Sequence, residues 1–374
     1  MKRVAVVLLN LGGPNNEEAV QPFLYNLFMD EDIIKIPIKG GLKRGLIKFL
    51  TNRRAKTVSE KYKEINGCPK GCMGPKSCSN RIKGVVSDCC SSTNPLTEAQ
   101  RRGLKKWLDK QDGPFEYEVI TAMRYWHPNT DDALDELLEA RVDEVVLLPM
   151  YPQFSYSTTA SSLNEWFRRL KARNLEHKWR MHIIQEYHQD PQYVAAINER
   201  IDEALNKLDP AIRQQTHLLF SAHGTPISFR EAGDPYSVQI TATMESVMEA
   251  RGKDRPYWLS YQSRVGPVKW LQPNTEEFLE VLYGYGIRHL VVIPIAFVND
   301  HIETLMEVGI EFKEVADELG YETFTCMEGL NDLPAFIQSL GNLVVDKVHA
   351  SVLPETHTDS TSTESPRPDQ AQVQ

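Results

Sequence analysis

An internal repeat restricts most strongly how this chain can fold. The motif PNTDD at 128–132 is followed by a helix-like pattern and then by an apolar strand that ends at Pro149. The motif PNTEE at 273–277 is followed by the same series, which ends at Pro294. Thr130 and Thr275 are the expected helix N-caps, with acidic residues in the first turn. Strands and helices thus alternate in two similar halves, which predicts an α/β protein with parallel sheets.

The starts of the two halves also correspond. LLNLGGP at 8–14 is similar to LLFSAHGTP at 218–226, and in each an apolar strand runs into a turn that contains glycine. We expect a first half over 1–190 and a second over 191–350, joined near Asp190–Asp209. The polar segment 354–374, rich in Pro, Ser and Thr, is expected to be a disordered tail.

Composition excludes several classes of protein. The 374 residues are 41% apolar and 25% charged, with a net charge of −9, which argues against nucleic acid as a partner. No apolar run approaches the roughly 18 residues of a membrane-spanning helix. The N-terminal run VAVVLLNL after Met1-Lys2-Arg3 is too short for a signal peptide and is interpreted as a first core strand. We expect a cytoplasmic protein.

One segment departs from the acidic character of the chain. Between Ile33 and Ser59 there is no acidic residue, and apolar side chains are interleaved with eight basic ones, Lys35, Lys39, Lys43, Arg44, Lys48, Arg53, Arg54 and Lys56. An ordinary amphipathic helix would show this pattern. A surface segment that contacts membrane lipid or an anionic, apolar ligand would show the same pattern.

Five of the six cysteines lie between 67 and 94, namely Cys68, Cys72, Cys78, Cys89 and Cys90. Apolar periodicity is weak there, so the segment has no core of its own. Clustered thiols in a cytosolic chain favour a metal or iron–sulfur centre over disulfides. The spacing matches no standard zinc knuckle, although zinc and unliganded thiols remain alternatives.

Ionisable residues concentrate after the strand in Val291–Glu314. Asp300, His301 and Glu303 follow the carboxyl end of that strand, where open α/β sheets bind ligands. On a helix, Glu303, Glu307 and Glu311 would form one acidic stripe, which is either a solvated face or a path for metal or protons.

The two halves differ at the positions where chemistry is expected. Alignment of the turns places His223 opposite Leu11, and alignment of the strands places Glu303 opposite Thr158. Several flat side chains accompany this base and carboxylate, and together they suit a large planar aromatic ligand. The further candidates are Arg124, Tyr125, Tyr151, Trp270, Phe297, Asp300 and His301.

With these motifs the sequence resembles ferrochelatase, the enzyme that inserts ferrous iron into a porphyrin. The similar stretches run over almost the whole chain. They are LLNLGGP (8–14), MRYWHP (123–128), PMYPQFSYSTTASSLNEW (149–166), FSAHGTP (220–226), YQSRVGPVKWLQPNT (261–275) and IPIAFVNDHIETLMEVGIEF (293–312).

The resemblance implies two Rossmann-like, chelatase-type domains with a porphyrin cleft between them. It assigns the catalytic roles to His223 and Glu303, where the substrate iron is also placed provisionally. The implied porphyrin-binding residues are Arg124, Tyr125, Tyr151, Trp270, Phe297 and His301. The expected reaction is formation of protohaem from protoporphyrin IX, the last step of haem biosynthesis.

Other interpretations stay open at this point. They are a coproporphyrin III ferrochelatase, a cobalt-inserting chelatase and a non-catalytic bilobal carrier of porphyrin or metal. The basic, apolar segment 33–59 favours protoporphyrin and a peripheral association with a membrane surface.

The cysteine-rich insert departs from the family pattern. Members usually carry a short Gly-Gly-x-Ser-Pro-Leu turn where this chain has the insert between Asn66 and Pro95. Some ferrochelatases hold a [2Fe–2S] cluster on a C-terminal extension or an internal insert, and the tail here has no cysteine. The resemblance thus implies a cluster on Cys68, Cys72, Cys78 and one of Cys89 and Cys90, with Cys90 preferred.

Overall fold

The computed structural model describes residues 1–34, 36–66, 93–264 and 268–350. Within them, eight strands form two four-stranded sheets. The strands are β1 Lys2–Asn10, β2 Phe115–Met123, β3 Glu144–Pro149, β4 Arg180–Ile183, β5 His217–His223, β6 Tyr257–Gln262, β7 His289–Pro294 and β8 Thr323–Cys326. The five cysteines of the insert and the polar tail lie outside the described residues.

Twelve α-helices connect and cover these strands in the described part of the chain. They are α1 Glu17–Met29, α2 Gly40–Asn66, α3 Thr93–Leu108, α4 Thr130–Ala140, α5 Ser161–Ala172, α6 Pro191–Asn206, α7 Pro210–Gln215, α8 Ile227–Glu231, α9 Tyr236–Ala250, α10 Thr275–Gly284, α11 Phe312–Leu319 and α12 Pro334–His349.

Both sheets have the same strand order. The first runs β2-β1-β3-β4 and the second β6-β5-β7-β8, and every strand pair is parallel. Central strands β3 and β7 are buried along their whole length, as expected for apolar strands covered on both faces. The predicted α/β class, with two parallel sheets related by a repeat, is confirmed.

The repeat extends to the helix starts, although the predicted capping residues are wrong by one position. Asn129 and Asn274 are the N-caps, and their side-chain oxygens accept backbone N–H groups of the first turn. Thr130 and Thr275 are the first helical residues and are buried. Threonine at that position packs into the core, which leaves the cap to the more exposed asparagine.

A π-helical segment follows β3 in the first sheet and β7 in the second. The first is Tyr156–Ala160 and the second is Glu303–Glu311, so the predicted acidic stripe lies on a π-helix and not on an α-helix. The wider i→i+5 ring of a π-helix is rare and is frequently found at functional sites. Here it sets the direction of the three glutamates.

The two halves share part of their core. One hydrophobic cluster contains Val6 of the first sheet, Phe220 of the second and Phe336 of α12. Helix α12 packs against α3 and α6, and a methyl group on Gly341 would overlap the ring of Trp107. The C-terminal helix is therefore in contact with the first half of the chain.

Helix α2 carries the basic, apolar segment predicted from sequence. Leu42 is 79% exposed and Phe49 is 57% exposed. Lys43 differs from the other basic residues, because its side chain is only 6% exposed and pairs with Glu31 at 2.7 Å. In the described residues, no helix has the length and apolar character needed to cross a bilayer.

Candidate active site

The predicted site residues follow the carboxyl ends of strands in both sheets. In such sheets this edge is where ligands bind. Arg124 and Tyr125 follow β2, Tyr151 follows β3, His223 ends β5, and Phe297, His301 and Glu303 follow β7.

A hydrogen bond between His223 and Glu303 joins β5 to the second π-helix. His223 Nδ1 lies 2.8 Å from Glu303 Oε2. An ionised carboxylate can only accept, so Nδ1 carries the proton and donates it. The other ring nitrogen, Nε2, is then the lone-pair acceptor, on a side chain that is 37% exposed.

The interaction between His223 and Glu303 raises the pKa of the histidine and lowers the pKa of the carboxylate. Burial lowers the pKa of His223, but the charge and hydrogen bond of Glu303, with Glu307 further away, outweigh burial and raise it. Burial raises the pKa of Glu303, yet His223 and His301 lower it to about 2. Glu303 therefore stays ionised and stabilises the protonated form of His223.

His301 is held in the same tautomer as His223, with the proton on Nδ1. Its Nδ1 donates to the backbone carbonyl of Asn299 at 3.2 Å, and its buried Nε2 has no hydrogen-bond partner. Burial lowers the pKa of His301 against the opposing charges of Glu303 and Asp300, so the ring is neutral. The ring centroid lies 4.2 Å from that of Phe297, which in turn lies 6.1 Å from that of His223.

A tight turn fixes the position of His223. The N–H of Gly224 donates to the carbonyl of Gln262 at 2.7 Å, and a Cβ on Gly224 would lie 2.8 Å from that oxygen. The same Cβ would meet the Trp270 ring at 3.4 Å. Tyr236 adds a bond from its hydroxyl to the His223 carbonyl at 2.9 Å. Only glycine fits next to His223, and Trp270 packs over it.

The three glutamates of the stripe have three different kinds of partner. Glu303 is bonded to an imidazole. Glu307 accepts from the backbone N–H of Ser263 at 2.8 Å and from its hydroxyl at 2.5 Å. Glu311 pairs with Lys61 of α2. Burial and the charge of Glu303 raise the pKa of Glu307, and these effects exceed the opposing effect of the hydrogen bonds from Ser263. The pKa of Glu307 is therefore raised where that of Glu303 is lowered.

The first half brings together a separate polar group around Asp30, which sequence reasoning missed. Arg124 Nη2 lies 2.9 Å from Asp30 Oδ2, and the Tyr125 hydroxyl donates to the same oxygen at 2.7 Å. Ser161 completes the group by accepting from Arg124 Nε at 2.9 Å. Burial raises the pKa of Asp30, but Ser161, Tyr125 and Arg124 together lower it.

Tyr151 also lies in the first half, and its buried hydroxyl has no hydrogen-bond partner in the described residues. It is buried, and burial raises its pKa against the opposing effects of Ser162 and Arg124. The predicted residues therefore fall into two sets according to the half in which they lie. His223, Glu303, His301, Phe297 and Trp270 lie in the second half, and Arg124, Tyr125 and Tyr151 lie in the first.

Metal-binding groups are not preassembled in the described part of the chain. No set of three or more His, Cys, Asp and Glu side chains is arranged there to hold an ion. The predicted iron ligands His223 and Glu303 are bonded to each other. Cys68, Cys72, Cys78, Cys89 and Cys90 lie outside the described residues.

Comparison with known proteins gives a family match over most of the chain. The sequence model described as ferrochelatase matches residues 3–71 and 83–348. A protein named ferrochelatase from Picosynechococcus sp. is 42% identical over 358 residues, which cover 93% of this chain and 83% of that protein. Another of that name from Trichormus variabilis is 40% identical over 355 residues, with the same coverages.

A solved structure shows the same fold at much lower identity. The cobalt complex of the sirohydrochlorin chelatase SirB from Bacillus subtilis subspecies spizizenii superposes with a TM-score of 0.51. It covers 93% of this chain and 96% of its own, with 10% sequence identity. The likeness supports the chelatase-type architecture.

Replacement of Glu303 by glutamine should lower the pKa of His223. The carboxylate stabilises the imidazolium, so its removal leaves burial, which disfavours the charged ring. NMR titration of the His223 ring protons, assigned with His223→Ala, measures the change. Glu314→Gln, at an exposed position of α11, is the control and should leave that pKa where it is. A pKa that stays or rises in Glu303→Gln would contradict the assignment.

Proposed function

The chain belongs to the ferrochelatase family, and from this membership we propose that it inserts ferrous iron into protoporphyrin IX to form protohaem. This is the terminal step of haem biosynthesis. The observation that carries the proposal is the His223–Glu303 bond, at 2.8 Å, on the carboxyl edge of the second sheet. It provides a base with a defined acceptor nitrogen beside a permanently ionised carboxylate.

Iron insertion requires removal of two protons from the pyrrole nitrogens of the porphyrin. His223 Nε2 is the proposed acceptor of the first, since Nδ1 is committed to Glu303. The imidazolium formed in this step is stabilised by the Glu303 charge. The neutral porphyrin loses two protons as the dication enters, so the macrocycle ends without net charge.

The second proton needs another acceptor. Glu303, with a pKa of about 2, is a poor one. Glu307 is better suited, because burial and Glu303 raise its pKa. Two carboxylates with pKa values moved in opposite directions often divide such roles between a charge stabiliser and a proton carrier. Glu311, paired with Lys61, lies at the outer end of this route.

Binding of the macrocycle is assigned to the flat side chains of both halves. Phe297, His301 and Trp270 form the proposed wall beside His223, and Tyr151 forms part of the opposite wall. A planar porphyrin offers its nitrogens poorly to a metal, so contact energy from these walls is used to distort it. Asp30 holds both Arg124 and Tyr125. Arg124 is the proposed polar contact to the substrate, and Tyr125, which is 1% exposed, packs beside it.

Iron is the substrate metal, and we place its entry on the side of His223 and Glu303. Ferrous iron accepts both imidazole and carboxylate ligands. Glu303 remains ionised at any working pH and can attract the dication, while His301 is neutral and keeps its Nε2 unbonded.

Replacement of His223 by alanine should abolish turnover while porphyrin binding is kept. A general base is typically worth roughly 10²–10⁴-fold in rate. Haem formation from ferrous iron and protoporphyrin IX is followed anaerobically by absorption, and porphyrin affinity by fluorescence. His217→Ala, at the opposite end of the same strand, is the control and should remain active.

The same assay separates the alternatives. A loss of turnover in His223→Ala smaller than about tenfold would remove His223 from the role of base. Preference of the wild-type protein for coproporphyrin III over protoporphyrin IX, or for cobalt over iron, would change the substrate. Tight porphyrin binding without turnover would indicate a carrier.

We also propose that α2 makes peripheral contact with a membrane from the cytoplasmic side. Leu42, Leu46, Phe49 and Leu50 are exposed on this helix, and Arg44 and Lys48 lie exposed among them. Apolar side chains beside cations suit the interface of an anionic bilayer. Protoporphyrin, with only two carboxylates, is a substrate that such a surface would favour.

Exchange of Arg44 and Lys48 for glutamine should weaken binding to anionic vesicles by about 1 kcal/mol per charge. Lys43 is left unchanged because it is buried against Glu31. Vesicle sedimentation measures the loss, and Lys313→Gln, on the exposed surface of α11, is the control. Turnover in detergent should not change. Equal vesicle binding by the double variant and the control would leave α2 as an ordinary amphipathic helix.

The insert is proposed to hold a [2Fe–2S] cluster on Cys68, Cys72, Cys78 and one of the adjacent pair Cys89 and Cys90. The helices that flank it end at Asn66 and begin at Thr93. Cys326 is the one cysteine in the described residues and lies in β8. Thiolate ligands suit this cluster, and ligation would supply folding energy to a segment without a core. No step of iron insertion depends on it.

Anaerobically purified protein should then be reddish and contain about two non-haem irons and two sulfides per chain. Cys72→Ser should lose the colour, and only one of Cys89→Ser and Cys90→Ser should do so. Cys326→Ser is the control and should keep it. Colourless protein with stoichiometric zinc would contradict the cluster without affecting the proposed reaction.

A further inference from the structure

Asn331 lies on the loop between β8 and α12 and is almost completely buried. All of its polar groups are engaged. Its N–H donates to the carbonyl of Val298 at 2.8 Å, and its own carbonyl accepts from Gln100 Nε2 at 2.8 Å. Its side-chain oxygen accepts the N–H of Asp300 at 2.9 Å, and its side-chain amide donates to Asp300 Oδ2 at 2.7 Å.

The backbone of Asn331 selects for this residue type. Its φ of 48° lies in the left-handed region, which asparagine tolerates better than most residues with a Cβ. Glycine would tolerate the same backbone but would remove both side-chain bonds. Asparagine thus satisfies the turn and the pairing with Asp300 together.

These bonds fix the turn that leads into the catalytic segment. Val298 and Asp300 are held by Asn331, and Asn299 between them is held by Thr97 and Gln100 of α3. Asp300 also accepts the N–H of Gly329 at 3.0 Å. Three consecutive residues are therefore fixed immediately before His301.

The orientation of the next residues follows from this anchoring. His301 Nδ1 donates to the carbonyl of Asn299, and the His301 N–H donates to the Thr304 hydroxyl at 2.9 Å. Glu303, two residues further on, must reach His223 Nδ1 at 2.8 Å. A turn released from Asn331 would leave both side chains free to move out of this geometry.

We propose that Asn331 is a positioning residue for iron insertion, which acts by holding Asp300 and thereby sets the placement of His301 and Glu303. It touches neither reacting group. Its link through Gln100 also makes the placement depend on the first half of the chain. The effect on turnover rests on the proposed function, whereas the effect on the geometry of His301 does not.

Asn331→Gly is the first test, because it keeps the left-handed backbone and removes only the side-chain bonds. We expect kcat to fall about 10- to 100-fold, the range seen when supporting groups of a site are lost. The KM for porphyrin should stay within about threefold, since the walls of the cleft are unchanged. Asn174→Gly is the matched control, because Asn174 has a φ of 54° but lies between α5 and β4.

An exchange of the two partners is the second test. Asn331→Asp places a carboxylate against Asp300 and should reduce kcat at least as much as Asn331→Gly. In Asp300→Asn with Asn331→Asp, amide and carboxylate change places and every bond between the two loops can form again. We expect this double variant to recover most of the lost kcat. A double variant no more active than Asn331→Asp overturns the proposal.

A readout without turnover separates this proposal from the proposed function. The NMR ring signals of His301 should shift in Asn331→Gly and stay in place in Asn174→Gly, at a temperature where circular dichroism shows every variant folded. Wild-type protein that fails to insert iron would refute the proposed function, while the His301 signals still test Asn331. Unshifted signals in Asn331→Gly, or its wild-type kcat in an active enzyme, overturn the positioning role.

Discussion

The hydrogen bond from His223 to Glu303 is the interaction on which the rest of the site depends. It fixes the tautomer of His223, holds the Glu303 carboxylate ionised and joins β5 to the second π-helix. Neither residue could do this alone. A partly buried histidine without the carboxylate would have a lowered pKa and an undefined tautomer, and a partly buried carboxylate without the histidine would have a raised pKa. Each side chain therefore keeps the other in the protonation state and tautomer that the proposed reaction needs.

The two halves contribute different groups to the candidate site, although their sheets have the same strand order. In the second half, ionisable groups lie at the end of β5 and after β7. Gly224, Tyr236 and Asn331 anchor the backbone that carries them. In the first half, the corresponding edge carries Arg124 and Tyr125. Asp30 balances the charge of Arg124 and accepts a hydrogen bond from the Tyr125 hydroxyl. Contacts between halves then fix one edge against the other. Asp234 accepts from Ser155 and from the N–H of Tyr156, both at 2.8 Å, and Gln100 binds the loop of Asn331.

Local pattern and repetition in the sequence are enough to predict the class, the parallel sheets and the equivalence of β3 with β7. Periodicity does not separate a π-helix from an α-helix, because the four-residue spacing of Glu303, Glu307 and Glu311 is compatible with both i→i+4 and i→i+5 hydrogen bonding. The cap positions were displaced by one residue, since burial of threonine decides between neighbouring candidates. In sequence, Lys43 resembles its exposed neighbours, and only its contact with Glu31 in the fold distinguishes it.

Local patterns do not predict partners that are distant in sequence. Asp30 contacts Tyr125 across 95 residues, and Gln100 contacts Asn331 across 231. His223 and Glu303 are predicted because His223 ends one predicted strand and Glu303 follows another, each within a family motif. The bond between them across 80 residues appears only in the fold.

The most direct test of the account is whether the group that titrates in turnover is His223. The measurement compares the pH dependence of kcat/KM for iron insertion with the NMR titration of His223 in the same protein. Insertion should rise with pH along a limb that coincides with deprotonation of His223, because only the neutral ring can accept a pyrrole proton. An acid limb that coincides with another group, or that persists unchanged when the titration of His223 is moved by Glu303→Gln, would contradict it.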